Sequence, residues 1–201
     1  ERGTTLLEIR TPQRYIDELI VSPDLQDQIE IVLQEYRAIQ VLQSNNLRAR
    51  QKLLLAGPPG CGKTLCAEVI ATELGLPLIY TRFDAVISSY LGETAANLRK
   101  VFDYAGRGTW VVFFDEFDAI GKSREDVEDH GELKRVVNTF LQLLDNFVSD
   151  SIFIAATNHE RLLDRALWRR FDDILFFDLP NTDQVRELLN KKLSSIRHGE
   201  L

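Results

Sequence analysis

Apolar residues along this chain fall into two rhythms. The first is the short unbroken run: KLLLA at 52–56, LPLIYTR at 76–82, WVVFF at 110–114, SIFIAA at 151–156 and DILFFDL at 173–179. Runs this short, bounded by turn residues, predict buried strands. The second rhythm is helical. In SPDLQDQIEIVLQEYRAIQVLQSNN (22–46), Leu25, Ile29, Val32, Leu33, Tyr36 and Ile39 recur at the spacing of one helix face. Ser22 suits its N-cap, Pro23 its first position, and Asp24 the positive end of the dipole. TLCAEVIATELG, LGETAANLRKVFDYAG, ELKRVVNTFLQLLDNF and TDQVRELLNKKLSSI predict further helices. Residues 1–21 carry no clear rhythm. Strands alternating with helices predict a parallel sheet covered on both faces.

Bulk properties narrow the class. The chain has 201 residues, 44% of them hydrophobic, which is enough for one domain with a substantial core. The net charge of −7 argues against a surface built to track nucleic-acid phosphates. No apolar run is long enough to span a membrane, and the start has no secretory core, so a soluble cytoplasmic protein is expected. Cys61 and Cys66 read as free thiols rather than a disulfide or metal site. His130, His159 and His198 lack metal-ligand spacing. No methionine occurs, even at position 1, so the sequence is expected to be a piece of a longer protein.

The strongest local signal is GPPGCGKT at 57–64, which fits G-x-x-x-x-G-K-[ST] between a predicted strand and a predicted helix. Gly57, Pro58, Pro59, Gly60, Cys61, Gly62 and the following Leu65 would form the cradle of a nucleotide's phosphates. Glycines let the backbone approach an oxyanion closely, and the amides at the helix start face it. Lys63 should reach the β- and γ-phosphates, and Thr64 should place its hydroxyl on Mg²⁺. Hydrolysis of ATP to ADP also needs carboxylates for the metal and the water. VVFFDEFD delivers Asp115 and Glu116 at the carboxyl end of a strand, where open α/β sheets bind ligands. Asp115 is expected to bind Mg²⁺ through water, and Glu116 to orient and polarise the attacking water. Asp118 either supports this pair or caps a helix.

GPPGCGKT, VVFFDEFDAI, IAATNHERLLDRALWRRFDD and LPNTDQVRELL stand in the order and spacing of AAA+ ATPases, and the chain resembles that family over residues 20–193. The resemblance implies a phosphate-loop (P-loop NTPase) three-layer α/β/α sandwich. Its five-stranded parallel sheet would have the order 5-1-4-3-2 and be followed by the start of a helical lid. It divides the chain into a lead-in (1–21), a large nucleotide-binding domain (22–180) and the first part of the lid (181–201). Adenine would lie between large domain and lid, near residues 19–21 and Leu188. Asn158 falls at the family's sensor position beside the γ-phosphate; alone, it would read as a turn or capping residue. Arg169 and Arg170 fall where family members extend arginines into a neighbouring subunit's site, to stabilise charge on the transferring phosphoryl group. The segment RRF lacks the longer LRPGRFD form and is similar to the katanin and spastin branch, leaving open which arginine does which job.

SSYLGE at 88–93 occupies the place of the first pore loop of AAA+ protein remodellers. The resemblance implies that Tyr90, Leu91 and Gly92 grip an extended polypeptide in the channel of a homo-oligomeric ring, normally a hexamer. Without it, Tyr90 would read as a core or turn aromatic. KSREDVEDHG (122–131) is either a second pore loop or a mobile charged loop. A rival is a nucleic-acid-acting AAA+ ATPase, to which Lys122, Arg124, Lys134 and Arg135 point. Glu93, Glu125, Asp126, Glu128 and Asp129 point away from it. A nucleotide-dependent switch is a third reading, against which the intact Asp115–Glu116 pair argues. An adaptor or protease partner is compatible with the resemblance, but no residue specifies one.

Overall fold

A computed structural model describes residues 6–88, 93–118, 130–159 and 165–197. Its centre is a six-stranded sheet: β1 (Glu8–Arg10), β2 (Lys52–Ala56), β3 (Leu78–Arg82), β4 (Val111–Asp115), β5 (Ile152–Thr157) and β6 (Asp173–Phe176), in the order β1-β3-β4-β5-β2-β6. The five strands predicted from apolar runs form the parallel part in the expected order. The expected strand number needs correction. A sixth strand, β1, pairs antiparallel with β3 at one edge, Glu8 opposite Tyr80 and Arg10 opposite Leu78. Three residues reading Glu-Ile-Arg bury too little to leave an apolar signature, and Ile9 stays exposed.

Alternation within the buried runs assigns the two faces. Leu53 and Leu55 of β2, Val111 and Phe113 of β4, and Ile152 and Ile154 of β5 point to one side. There they meet α1 (Pro23–Arg37) and α3 (Lys63–Leu74), through Ile29, Val32, Val69 and Ile70. Leu54, Ile79, Val112, Phe114 and Phe153 point to the other side. Its cover is α4 (Phe83–Ser88), α5 (Thr94–Ala105) and α6 (His130–Asn146). Both faces are apolar because both are covered, which is why the strands read as runs rather than alternations.

The first predicted helix is two. Ser22 caps α1 as expected, accepting from the Leu25 amide at 3.3 Å, with Pro23 in its first turn. At Ala38 the backbone leaves helical geometry (φ −97°, ψ 13°), and α2 (Ile39–Ser44) restarts. After β5 come a single turn, α7 (Arg165–Trp168), then β6 and the long α8 (Thr182–Arg197). Val185, Leu188, Leu189 and Leu193 of α8 are exposed to different degrees along one side.

Aromatic rings knit the α6 side. Phe140 lies edge-on to Phe83, Phe102 and Phe114 at 5.5–5.8 Å and tilted on Phe117 at 5.0 Å. Removing a ring so enclosed leaves a cavity that its neighbours cannot close. Phe140→Ala is therefore expected to cost about 3–5 kcal/mol, read as a lower urea midpoint with unchanged slope. Val148→Ala, at a residue 96% exposed, should change stability by less than about 0.5 kcal/mol.

Candidate functional site

The carboxyl ends of β2, β4 and β5 lie side by side because these strands are parallel and in register, Ala56 opposite Thr157 and Phe114 opposite Ala155. The loop after β2 must turn sharply to begin α3 over the same edge. Gly57 starts that turn with φ +149°, and a Cβ there would run into the carbonyl oxygen of Phe177. Gly62, at φ +95°, occupies the left-handed region immediately before α3, where a side chain would be strained. The Gly57 amide donates to Thr157 O at 3.2 Å, tying the loop to the end of β5.

Lys63, the first residue of α3, is buried (7% exposed) with its ammonium turned back over the loop. Nζ donates to the carbonyls of Gly57 and Pro58, both at 2.7 Å. Burial pulls this ammonium below the ordinary lysine value, while Cys61 and the carboxylates of Asp115 and Asp118 oppose the shift. The carbonyls that hold this desolvated cation carry no net charge, and an anion placed beside it would be favoured.

Asp115, the last residue of β4, gathers three donors. Its Oδ2 accepts from the Thr64 hydroxyl at 3.3 Å and the Tyr80 hydroxyl at 3.1 Å, and its Oδ1 from the Glu116 amide at 2.9 Å. Thr64 and Asp115 thus present hard oxygen ligands together beside a buried cation and a glycine-lined loop. This donor set fits Mg²⁺ on a nucleotide's phosphates. Tyr80 carried no signal in the sequence beyond being an aromatic in a strand. Burial first, and then the Asp115 carboxylate, pushes its phenol up to about 12, so it is a donor at neutral pH.

Glu116 leaves the strand with φ +55°, a left-handed conformation that costs about 1–3 kcal/mol for a residue bearing a Cβ. The next amide, Phe117, returns to pair with Ala156 O at 2.9 Å. The turn projects Glu116 from the sheet edge as a half-exposed carboxylate, with Oε2 3.5 Å from Arg82 Nη2. Both partners are well solvated, so this pair contributes little to stability. Asp118 is buried, and its Oδ1 accepts from the Asn158 amide at 3.3 Å. Asp118 thus ties the ends of β4 and β5. Asn158 lies immediately beyond β5, next to the strand on which Gly57 rests.

Beside the loop is a cavity of about 190 Å³ lined by Leu19, Val21, Leu65, Phe177 and Leu188, with Gly60, Cys61 and Gly62 at its border. Residues 19–21 and Leu188 line it together. Phe177, Asp178, Pro180 and Gln184 line it too and were missed. Their only signal was their position directly after the last apolar run. Lys191 of α8 donates to the Asp17 carbonyl, tying this helix to the segment before α1. Cys61 is a half-exposed free thiol, and Cys66 is fully buried, its thiol pushed up to about 12 by burial.

Arg169 and Arg170 are exposed and lie at the opposite edge of the sheet. Arg170 pairs with Asp145 of α6 at 2.9 Å, and the nearby Asp172 accepts from the amides of Gln51 and Lys52 at the start of β2. The phosphate loop begins at the other end of that five-residue strand, roughly 16 Å away at the usual rise per residue. The structure therefore does not bring these arginines to the phosphate loop of their own chain. Tyr90, Leu91 and Gly92, and residues 122–129 of the charged stretch, lie outside the described residues. Among the described residues no group of His, Cys, Asp and Glu forms a metal cluster of its own, and no helix is long and apolar enough to cross a membrane.

Comparison with known proteins agrees with this geometry. The sequence pattern of the ATPase family associated with various cellular activities (AAA) matches residues 53–179. An uncharacterized AAA family ATPase of Sinorhizobium fredii is 43% identical over 98% of this chain and 59% of its own length. The peroxisomal ATPase pex6 of Schizosaccharomyces pombe is 35% identical over 85% of this chain and 18% of its own. A putative 26S proteasome regulatory subunit homolog of Methanocaldococcus jannaschii is 36% identical over 72% of this chain and 41% of its own. The chain thus spans less than two thirds of each of these relatives. The family pattern covers well over half the chain, from β2 through the end of β6, and the chain belongs to the AAA ATPase family.

Proposed function

We propose that this chain is the Mg²⁺-dependent ATP-hydrolysing domain of a cytoplasmic protein remodeller that works as a homo-oligomeric ring, most simply a hexamer. The observation that carries the reading is the convergence of Lys63, Thr64, Asp115 and Glu116 at one sheet edge beside an apolar cavity. Residues 181–201 open the helical lid of this reading, residues 22–180 form its large domain, and 1–21 lead into it. A relative named as a proteasome regulatory subunit homolog supports a polypeptide substrate.

The residues divide the chemistry. Adenine enters the cavity between Val21, Phe177 and Leu188. Loop residues 57–65 wrap the phosphates, and Lys63 exchanges its two carbonyl partners for β- and γ-phosphate oxygens. Thr64 and, through water, Asp115 would hold Mg²⁺, which when bound would offset the phosphates' negative charge. Glu116 orients water for attack on the γ-phosphorus and draws its proton. Asn158 donates toward the same water or phosphate oxygen. Arg169 or Arg170 acts on the site of a neighbouring copy, in the short RRF form similar to the katanin and spastin branch; their distance from the phosphate loop of their own chain supports this reading. Tyr90, Leu91 and Gly92 grip the threaded polypeptide. An adaptor or protease partner fits this scheme without being required by it.

Three variants of the full-length protein test these roles. Glu116→Gln should lower turnover by about 10²–10⁴-fold, the usual worth of a general base, while ATP binding persists. Lys63→Ala should lose binding itself, seen by equilibrium titration with a fluorescent nucleotide. Tyr90→Ala should keep basal hydrolysis yet lose its stimulation by an unfolded polypeptide. Stimulation that survives in Tyr90→Ala, or that DNA supplies instead, contradicts the polypeptide grip.

A further inference from the structure

We propose that Tyr80 is a positioning residue of the metal site, acting through Asp115. The inference rests on the proposed Mg²⁺-nucleotide reading of that site. Tyr80 stands on β3 opposite Phe113, and Arg82 stands opposite Asp115, so Tyr80 and Asp115 share a sheet face two positions apart. The phenol spans that diagonal, and its hydroxyl donates to Asp115 Oδ2 at 3.1 Å. This is the same oxygen that accepts from Thr64 at 3.3 Å. Thr64 and Tyr80 therefore approach one carboxylate oxygen from two elements, α3 and β3. The Glu116 amide fixes the other oxygen.

With Tyr80 in place, the carboxylate plane is set from three sides, and its direction toward Thr64 is fixed before any cation arrives. Without the hydroxyl, Oδ2 keeps only the longer bond from Thr64, a group that must itself turn toward the cation. Outer partners that orient a ligating carboxylate contribute to metal affinity without touching the metal.

The ring is also held from outside. The Arg10 guanidinium carbon lies 3.7 Å from the Tyr80 ring centroid, and the Phe113 ring lies 5.8 Å away on the adjacent strand. Arg10 is anchored by Glu8 at 2.8 Å and by Glu68 of α3 at 3.7 Å. The antiparallel edge strand β1 thus supplies the cation that pins Tyr80, and so reaches the metal site without a residue in it.

The test is a Mg²⁺ titration of the full-length protein with a fluorescent, slowly hydrolysed ATP analogue, comparing native protein with Tyr80→Phe. The variant keeps the ring and its Arg10 contact and loses only the hydroxyl. Its Mg²⁺ midpoint should rise about tenfold, the lower end of what loss of an outer partner costs. Its analogue affinity in EDTA and its thermal midpoint should match the native protein. On an Asp115→Asn background, Tyr80→Phe should shift the midpoint no further. A Tyr80→Phe midpoint within about twofold of native overturns the role of Tyr80 and leaves the site reading standing. An equal loss of affinity in EDTA overturns it also, since the hydroxyl would then be shaping the pocket. Native binding indifferent to Mg²⁺ would overturn the site reading itself, and this inference with it.

Discussion

Parallel pairing of β3, β4, β5 and β2 imposes one condition on everything else in this protein: all four strands end at the same edge. The chain turns where it leaves β2, β4 and β5, and these turns touch: the Gly57 amide donates to Thr157 O, the Phe117 amide to Ala156 O, and the Asn158 backbone amide to Asp118. The phosphate loop, the Asp115–Glu116 turn and Asn158 are neighbours for this reason, although they are far apart in sequence. The two apolar faces make the condition affordable. Burying Phe113 and Ile154 on one side and Phe114 and Phe153 on the other stabilises by roughly 1.5–3 kcal/mol per large side chain.

That packing bears the cost of an edge that breaks local rules. Gly57 runs against the Phe177 backbone, Gly62 opens α3 from a left-handed conformation, and Glu116 adopts a positive φ with a full side chain. Lys63 is desolvated among carbonyls. None of these would arise from optimising a fold alone, and all sit within one loop cluster. Backbone strain and a desolvated ammonium gathered where three strands end suit a site for an anion and its metal. The opposite edge is different in kind: Arg170 is paired with Asp145, and Asp172 caps the start of β2.

How much of this was legible in the sequence follows from how local each signal is. The glycine spacing of the phosphate loop is a backbone requirement written in consecutive residues, so it could be read directly. The parallel strands could be read because their covered faces demand unbroken apolar runs, although β6, at the sheet edge, is only partly buried and leaves Phe176 exposed. β1 could not, because an edge strand of three residues needs no such run. The break at Ala38 has no glycine or proline to mark it. Tyr80 was hidden because its function depends on the diagonal across two paired strands, which only register reveals. Phe177 was hidden similarly, since its closeness to Gly57 is a tertiary crossing. Arg169 and Arg170 were legible as a pair, but their distance from their own phosphate loop was not.

Function at this edge turns on Lys63 being stored on the loop carbonyls and given up to phosphate. The most direct measurement is a crystal structure of the protein with Mg²⁺ and a slowly hydrolysed ATP analogue. In it, Lys63 Nζ should be released from Gly57 O and Pro58 O and bonded to β- and γ-phosphate oxygens, with the metal beside Thr64 and Asp115. A nucleotide bound elsewhere, or bound here while Lys63 keeps both carbonyls, would contradict it.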